Sequence, residues 1–199
     1  MSAPPVAAFT GFVLAGGSSR RMGRDKALLE VNGTPLVLHA CAALETAGAS
    51  TVSVVGGDAA ALGALGLVTV RDEHPGEGPL GAIVTALGTG VGEDVAVVLS
   101  CDLVDPSPAN IAALAARIGP GVDVVVASLG GRPQWLHAAW SSGALGALDR
   151  SFAAGERSIG RATGALVVEV VDVPEPDRLR DADTPADLSS ILRERGDRR

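Results

Sequence analysis

The chain has 199 residues, 47% of them hydrophobic and 20% charged, with a formal net charge of -7. That length fits one domain, 1–199, with an ample core, and the acidic balance argues against duplex nucleic acid or an anionic membrane as the main partner. No apolar run reaches the ~20 residues that span a bilayer, and the apolar N-terminal stretch lacks the basic region of a signal peptide, so a cytoplasmic protein is expected.

The first predicted strand is FTGFVL (9–14). It is near-continuously apolar, the pattern of a strand covered on both faces. A glycine-rich loop follows, and Arg20, Arg21, Arg24 and Lys26 crowd into it; Lys26 is the single lysine of the chain. Gly16 and Gly17 let the backbone approach a ligand closely, and successive N–H groups in such a loop form an anion nest. A polyphosphate suits that combination. The alternative is a glycine turn with a solvated basic face. The absence of any Lys or Arg from Ala27 to Val70 favours the phosphate site. Neither GxxxxGK[ST] nor GxGxxG is present in this loop.

Thr34-Pro35 is expected to open a helix over LVLHACAALETAG, with threonine as N-cap and proline at the first helical position. His39 falls on that helix and reads as structural. Strands are expected at TVSVV (51–55) and LVTV (67–70). Asp72 stands just past the latter, before a turn containing Gly76, Gly78 and Gly81; it reads equally as a ligand to a base or ribose and as a turn cap. His74 reads as a solvated turn residue with no partner.

VAVVL (95–99) runs into Cys101-Asp102. A carboxylate at that edge, opposite a phosphate loop, suits Mg²⁺, and an Asx turn suits it as well. Ser107-Pro108 opens the next helix. VDVVVA (122–127), PQWLHAAW (133–140) and ALVVEVV (165–171) are further strands, the last two expected at antiparallel edges. Thr184-Pro185 opens a last helix, and RERGDRR (193–199) is a solvated tail. Cys41 and Cys101 lack metal-type spacing and read as buried thiols of a reducing compartment. Alternating strands and helices predict an α/β fold: a three-layer, doubly wound, mostly parallel sheet with antiparallel edge strands.

LAGGSSRRMGRDKALL resembles the motif LAGGxSxRMGxDKxLL of a nucleotidyltransferase superfamily, within which the chain looks most like the molybdenum cofactor guanylyltransferases. RDEHPGEGPLGAIVTAL, VVLSCDLVDPSP, GRPQWLHAAW, GERSIGR and DADTPADL are similar to the successive later motifs of that family. The resemblance covers nearly the whole chain and implies a Rossmann-like nucleotidyltransferase fold. It also implies transfer of GMP from GTP to the terminal phosphate of a molybdopterin acceptor, with Mg²⁺ as cofactor and pyrophosphate as product. GTP, the molybdopterin-type acceptor and maturation proteins of molybdoenzymes are the implied partners. Carried over by position, Leu14, Ala15 and Gly16 would line guanine and ribose. Gly17, Arg21 and Lys26 would hold the triphosphate, Asp72 would contact the nucleotide, and Asp102 would bind Mg²⁺. Gly81 and Arg157 would lie toward the acceptor.

Two positions depart from the family pattern. Gly56 stands where asparagine is common, and Asp181 and Asp183 replace the two asparagines that precede the late Thr-Pro. Gly17 favours a guanine-type member over a cytidylyl one. Cytidylyl transfer, another phosphorylated acceptor and a non-catalytic nucleotide-binding module are the rival readings. Lys26 is the leading catalytic residue, because a mobile ammonium can follow a departing pyrophosphate better than a planar guanidinium.

Overall fold

The computed structural model describes residues 8–16, 26–90 and 92–181. Seven strands form the central sheet: β1 (Phe9–Leu14), β4 (Ala49–Val55), β5 (Thr69–Val70), β6 (Val95–Ser100), β7 (Val124–Leu129), β8 (Arg132–Ser141) and β9 (Val168–Val171), in the order β5-β4-β1-β6-β8-β7-β9. β5, β4, β1 and β6 run parallel.

The apolar strand residues divide between two cores. Phe9, Val13, Val54, Val97 and Leu99 meet α1 (Leu36–Thr46), α2 (Ala59–Ala64) and α4 (Pro108–Ala115) on one face. Phe12, Leu14, Val55, Ala96 and Val98 meet α3 (Pro79–Gly88), α5 (Leu145–Ala153) and α6 (Ile159–Ala162) on the other. This is the expected three-layer arrangement, with the core drawn from Val, Leu, Ile and Ala, Phe9, Phe12 and Trp140.

The antiparallel strand sits elsewhere than expected. β8 lies inside the sheet, paired antiparallel with both β6 and β7, and β9 takes the edge and pairs parallel with β7. Residues 137–140 are buried, as a strand with neighbours on both sides and helices on both faces requires. Gly130 (φ 58°) and Gly131 (φ 77°) make the tight connection that folds β8 back along β7.

A second correction concerns the entry to α1. Thr34–Pro35 is a short strand, β3, paired antiparallel with β2 (Glu30–Val31). Asn32 (φ 52°) and Gly33 (φ 77°) form the turn between them, the positive-φ pair of a two-residue hairpin. The helix begins at Leu36 with no side-chain cap. The second Pro-marked helix is as expected: Ser107 caps α4, its Oγ accepting from the Asn110 amide at 3.2 Å. The Thr184-Pro185 helix lies outside the described residues.

His137 on β8 pairs with Leu99 in register. Its side chain is buried and its Nε2 has no hydrogen-bond partner. Burial pushes the imidazole down from 6.5 to about 4. Between those values the unfolded chain binds a proton that the folded chain refuses. Stability is therefore full above the unfolded value and falls with pH, by about 3 kcal/mol in total at ~1.36 kcal/mol per pH unit. The slope of unfolding free energy against pH from 6.5 to about 4 should flatten in His137→Leu. An unchanged slope would assign the acid sensitivity to another group.

Candidate active site

The parallel register brings four strand ends to one edge. Leu14 lies beside Val55 on one side and Ser100 on the other, and Val55 lies beside Val70. Backbone bonds continue past the strands: Ala15 N to Val55 O at 2.9 Å, Gly56 N to Val70 O at 2.9 Å and Cys101 N to Leu14 O at 3.2 Å. The next residues are Gly16, Gly57, Asp72 and Asp102. The chain leaves β1 for β4 on one side and later returns to β6 on the other, so the β1/β6 boundary is a topological switch point, where open α/β sheets bind ligands.

On the β4/β5 side of this edge is a cavity of about 820 Å³, lined by Gly16, Gly56, Gly57, Arg71, Asp72 and Gly76, among others. Its floor is bare backbone. A Cβ on Gly56 would come within 3.2 Å of Gly16 N and Cα, and Gly56 has φ +76°. The asparagine common at this position would therefore be strained and would crowd Gly16. The Asp72 carboxylate divides its oxygens. Oδ1 accepts from the His74 amide at 2.9 Å and from Thr85 Oγ1 at 3.4 Å. Oδ2 lies 3.3 Å from where a Gly16 Cβ would stand. One oxygen caps the turn, and the other faces Gly16 at the carboxyl edge of the sheet.

At the switch point, Lys26 opens a 3₁₀ turn (Lys26–Leu28), and its Nζ donates to Asp102 Oδ2 at 3.4 Å. The two side chains are 21% and 14% exposed, so the pair is partly screened from water without being sealed. Ser100 Oγ donates to Asp102 Oδ1 in a short contact. One carboxylate oxygen is thereby fixed by the last residue of β6, while the other points at the ammonium. The sequence places these groups 76 residues apart; only the crossover through β4 and β5 joins them.

A second cluster involves the predicted acceptor residues. Arg157 stacks on Phe152, its guanidinium carbon 3.9 Å from the ring centroid, and pairs with Glu77 at 2.5 Å. His74 packs on the same ring at 4.5 Å, so it does have a partner, contrary to its reading as a solvated turn residue. Gly81 admits both: a Cβ there would meet His74 Cβ at 2.8 Å and Phe152 at 3.2 Å.

The MobA-like NTP transferase domain model matches residues 11–170. A molybdenum cofactor guanylyltransferase of Rhodobacter capsulatus is 34% identical over 184 residues, covering 90% of this chain and 92% of the relative. A probable molybdenum cofactor guanylyltransferase of Opitutus terrae is 35% identical, covering 87% and 88%. The chain belongs to the MobA-like NTP transferase family. It is accordingly a nucleotidyltransferase. The fold is that of the crystal structure of molybdopterin-guanine dinucleotide biosynthesis protein A from Archaeoglobus fulgidus, with a TM-score of 0.74 at 22% identity over 94% of this chain and 99% of the other.

In this transferase Gly16, Lys26, Asp72 and Asp102 share the carboxyl edge. Leu14 and Ala15 turn their side chains into the two cores. Gly17, Arg20, Arg21, Arg24 and Asp183 lie outside the described residues. Asp181 forms an isolated antiparallel bridge with Leu103, the residue after Asp102. The segment leading to it is tied to the start of α4. Asn110 Nδ2 donates to Glu175 O and Asn110 Oδ1 accepts from Glu175 N, both at 2.8 Å, and Arg178 pairs with Asp105 at 3.0 Å. Ser100 was not singled out from the sequence, although its place at the end of β6, two residues before Asp102, was a usable signal. Cys41 and Cys101 are both buried, and burial, then Glu45, pushes the Cys41 thiol up to about 12. No helix among the described residues is long and apolar enough to cross a membrane.

Proposed function

We propose that this transferase moves GMP from GTP to the terminal phosphate of a molybdopterin acceptor, releasing pyrophosphate, in the cytoplasm. The observation that carries the reading is the Lys26–Asp102 pair at the switch point, beside a cavity large enough for a nucleoside. The base and ribose would enter the cavity over the Gly16–Gly56 floor, with Asp72 Oδ2 offering a hydrogen-bond acceptor. The triphosphate would then run toward Lys26, with Gly17 and Arg21 in the same loop. The family resemblance alone would place Gly81 and Arg157 toward the acceptor.

An acceptor phosphate oxygen attacks the α-phosphorus in line as the bond from that phosphorus to the β-phosphate oxygen breaks. Negative charge gathers on the departing pyrophosphate, and Lys26 swings from Asp102 to meet it. Asp102 fits magnesium, since its half-buried carboxylate is oriented by Ser100 at the edge where phosphates would lie, and magnesium takes one or two carboxylates and completes its shell with phosphate and water. When bound there, the ion would neutralise phosphate charge.

Pyrophosphate release with molybdopterin as acceptor tests the reading. GTP should support it and CTP should not. Preference for CTP would overturn the guanine assignment, and no release with either nucleotide would overturn the reaction.

A further inference from the structure

Loop 71–78 joins β5 to α3 and carries one wall of the cavity. Its tip, His74 to Glu77, is a tight turn closed by the Glu77 amide donating to His74 O at 3.1 Å. Pro75 and Gly76 (φ +82°) occupy the two central positions, as a type II turn demands. Both line the cavity. The tip thus contributes two residues with no polar side chain of their own, and its place is set by its flanks.

Both flanks are fastened to the end of α5 and the turn that follows it. Glu77 Oε2 takes a hydrogen bond from Arg157 Nη2, across 80 residues of sequence. His74 leans on Phe152. Arg157 is itself held: its Nη1 donates to Phe152 O at 2.9 Å and Glu156 O at 2.8 Å, and its guanidinium carbon lies over the Phe152 ring. Three of its five N–H donors are spent inside the protein. An exposed ion pair between two mobile side chains contributes little, but a guanidinium already fixed by two carbonyls and a ring loses little further freedom on gaining a carboxylate.

We infer that Arg157 is a positioning residue for the nucleotide cavity: through Glu77 it fixes the Pro75–Gly76 wall, and it acts on the bound nucleotide without touching the acceptor. The inference rests on the proposed nucleotidyl transfer. It gives Gly81 a role in the same clamp, since any side chain there would push His74 and Phe152 apart.

Calorimetry with GTP and Mg²⁺, acceptor-dependent kinetics and amide hydrogen exchange of the nucleotide-free protein test it together. Glu77→Gln and Arg157→Glu should each weaken GTP binding about fivefold, with the kinetic loss falling on KM for GTP more than on kcat. The double variant Glu77→Gln/Arg157→Glu should weaken GTP binding little more than Arg157→Glu alone, because both changes break one link, which independent roles for the two residues would not allow. Amides of residues 74–78 should exchange several-fold faster in Glu77→Gln without any nucleotide. The inference is overturned if Arg157→Glu raises KM for the acceptor while GTP affinity holds, if the double variant loses the sum of the two single losses, or if loop exchange is unchanged. Should the wild-type protein fail to bind GTP, the proposed reaction falls, and the exchange measurement still decides the clamp.

Discussion

Lys26→Met should cut the rate of pyrophosphate release about a thousandfold, and Lys26→Arg should not restore it. The ammonium stands 3.4 Å from Asp102 with about a fifth of its side chain exposed, at the edge where a phosphate would lie. Removing a preorganised charge from the developing leaving group costs roughly 3–4 kcal/mol of barrier, which is the thousandfold. Arginine keeps the charge, but its planar fork is longer and cannot track the oxygens as they separate. The fold should survive, because a partly exposed ion pair contributes at most about 1 kcal/mol; a thermal melt would check that. Near wild-type turnover in both folded variants would remove Lys26 from the chemistry.

Asp102→Asn should reduce turnover at least about a hundredfold and abolish its response to Mg²⁺. The amide is nearly isosteric and still offers Ser100 an acceptor oxygen, so the end of β6 should keep its shape. What disappears is the negative charge that would face both Lys26 and the metal. The measurement is the rate of pyrophosphate release across a magnesium titration. A folded Asp102→Asn enzyme with the wild-type magnesium dependence would place the metal elsewhere. Lys26→Met and Asp102→Asn should also combine non-additively, because each removes a partner of the other.

The parallel half of the fold was legible because its central strands, β1 and β6, are buried on both faces and read as near-continuous apolar runs. The two acidic strand ends were legible for the same reason: Asp72 and Asp102 each interrupt the chain where an apolar run stops. β8 was harder. Arg132, Gln134 and Trp135 at its outer end look like an edge strand, and only the run from His137 to Trp140 is that of an interior one. Its position between β6 and β7 depends on pairing partners more than 30 residues apart on the β6 side, which no local pattern encodes. The β2–β3 hairpin was a missed local signal, since Asn32-Gly33 is the dipeptide that such a turn favours. Threonine before proline drew attention to the helix instead. The link between Glu77 and Arg157 could not be read at all, because a surface ion pair across 80 residues leaves no periodicity behind.

The interior place of β8 has a consequence for assembly. β7 reaches the rest of the sheet through β8, so it cannot dock on β6 when it is synthesised. Until Arg132–Ser141 has been made, the β6 edge has no antiparallel neighbour and presents unpaired amides and carbonyls, the template on which strands of other chains add. β7 and β8, joined by Gly130-Gly131, form their contacts locally and are suited to arrive as one hairpin. The nascent chain thus builds its parallel half first and carries an exposed sheet edge until that hairpin covers it.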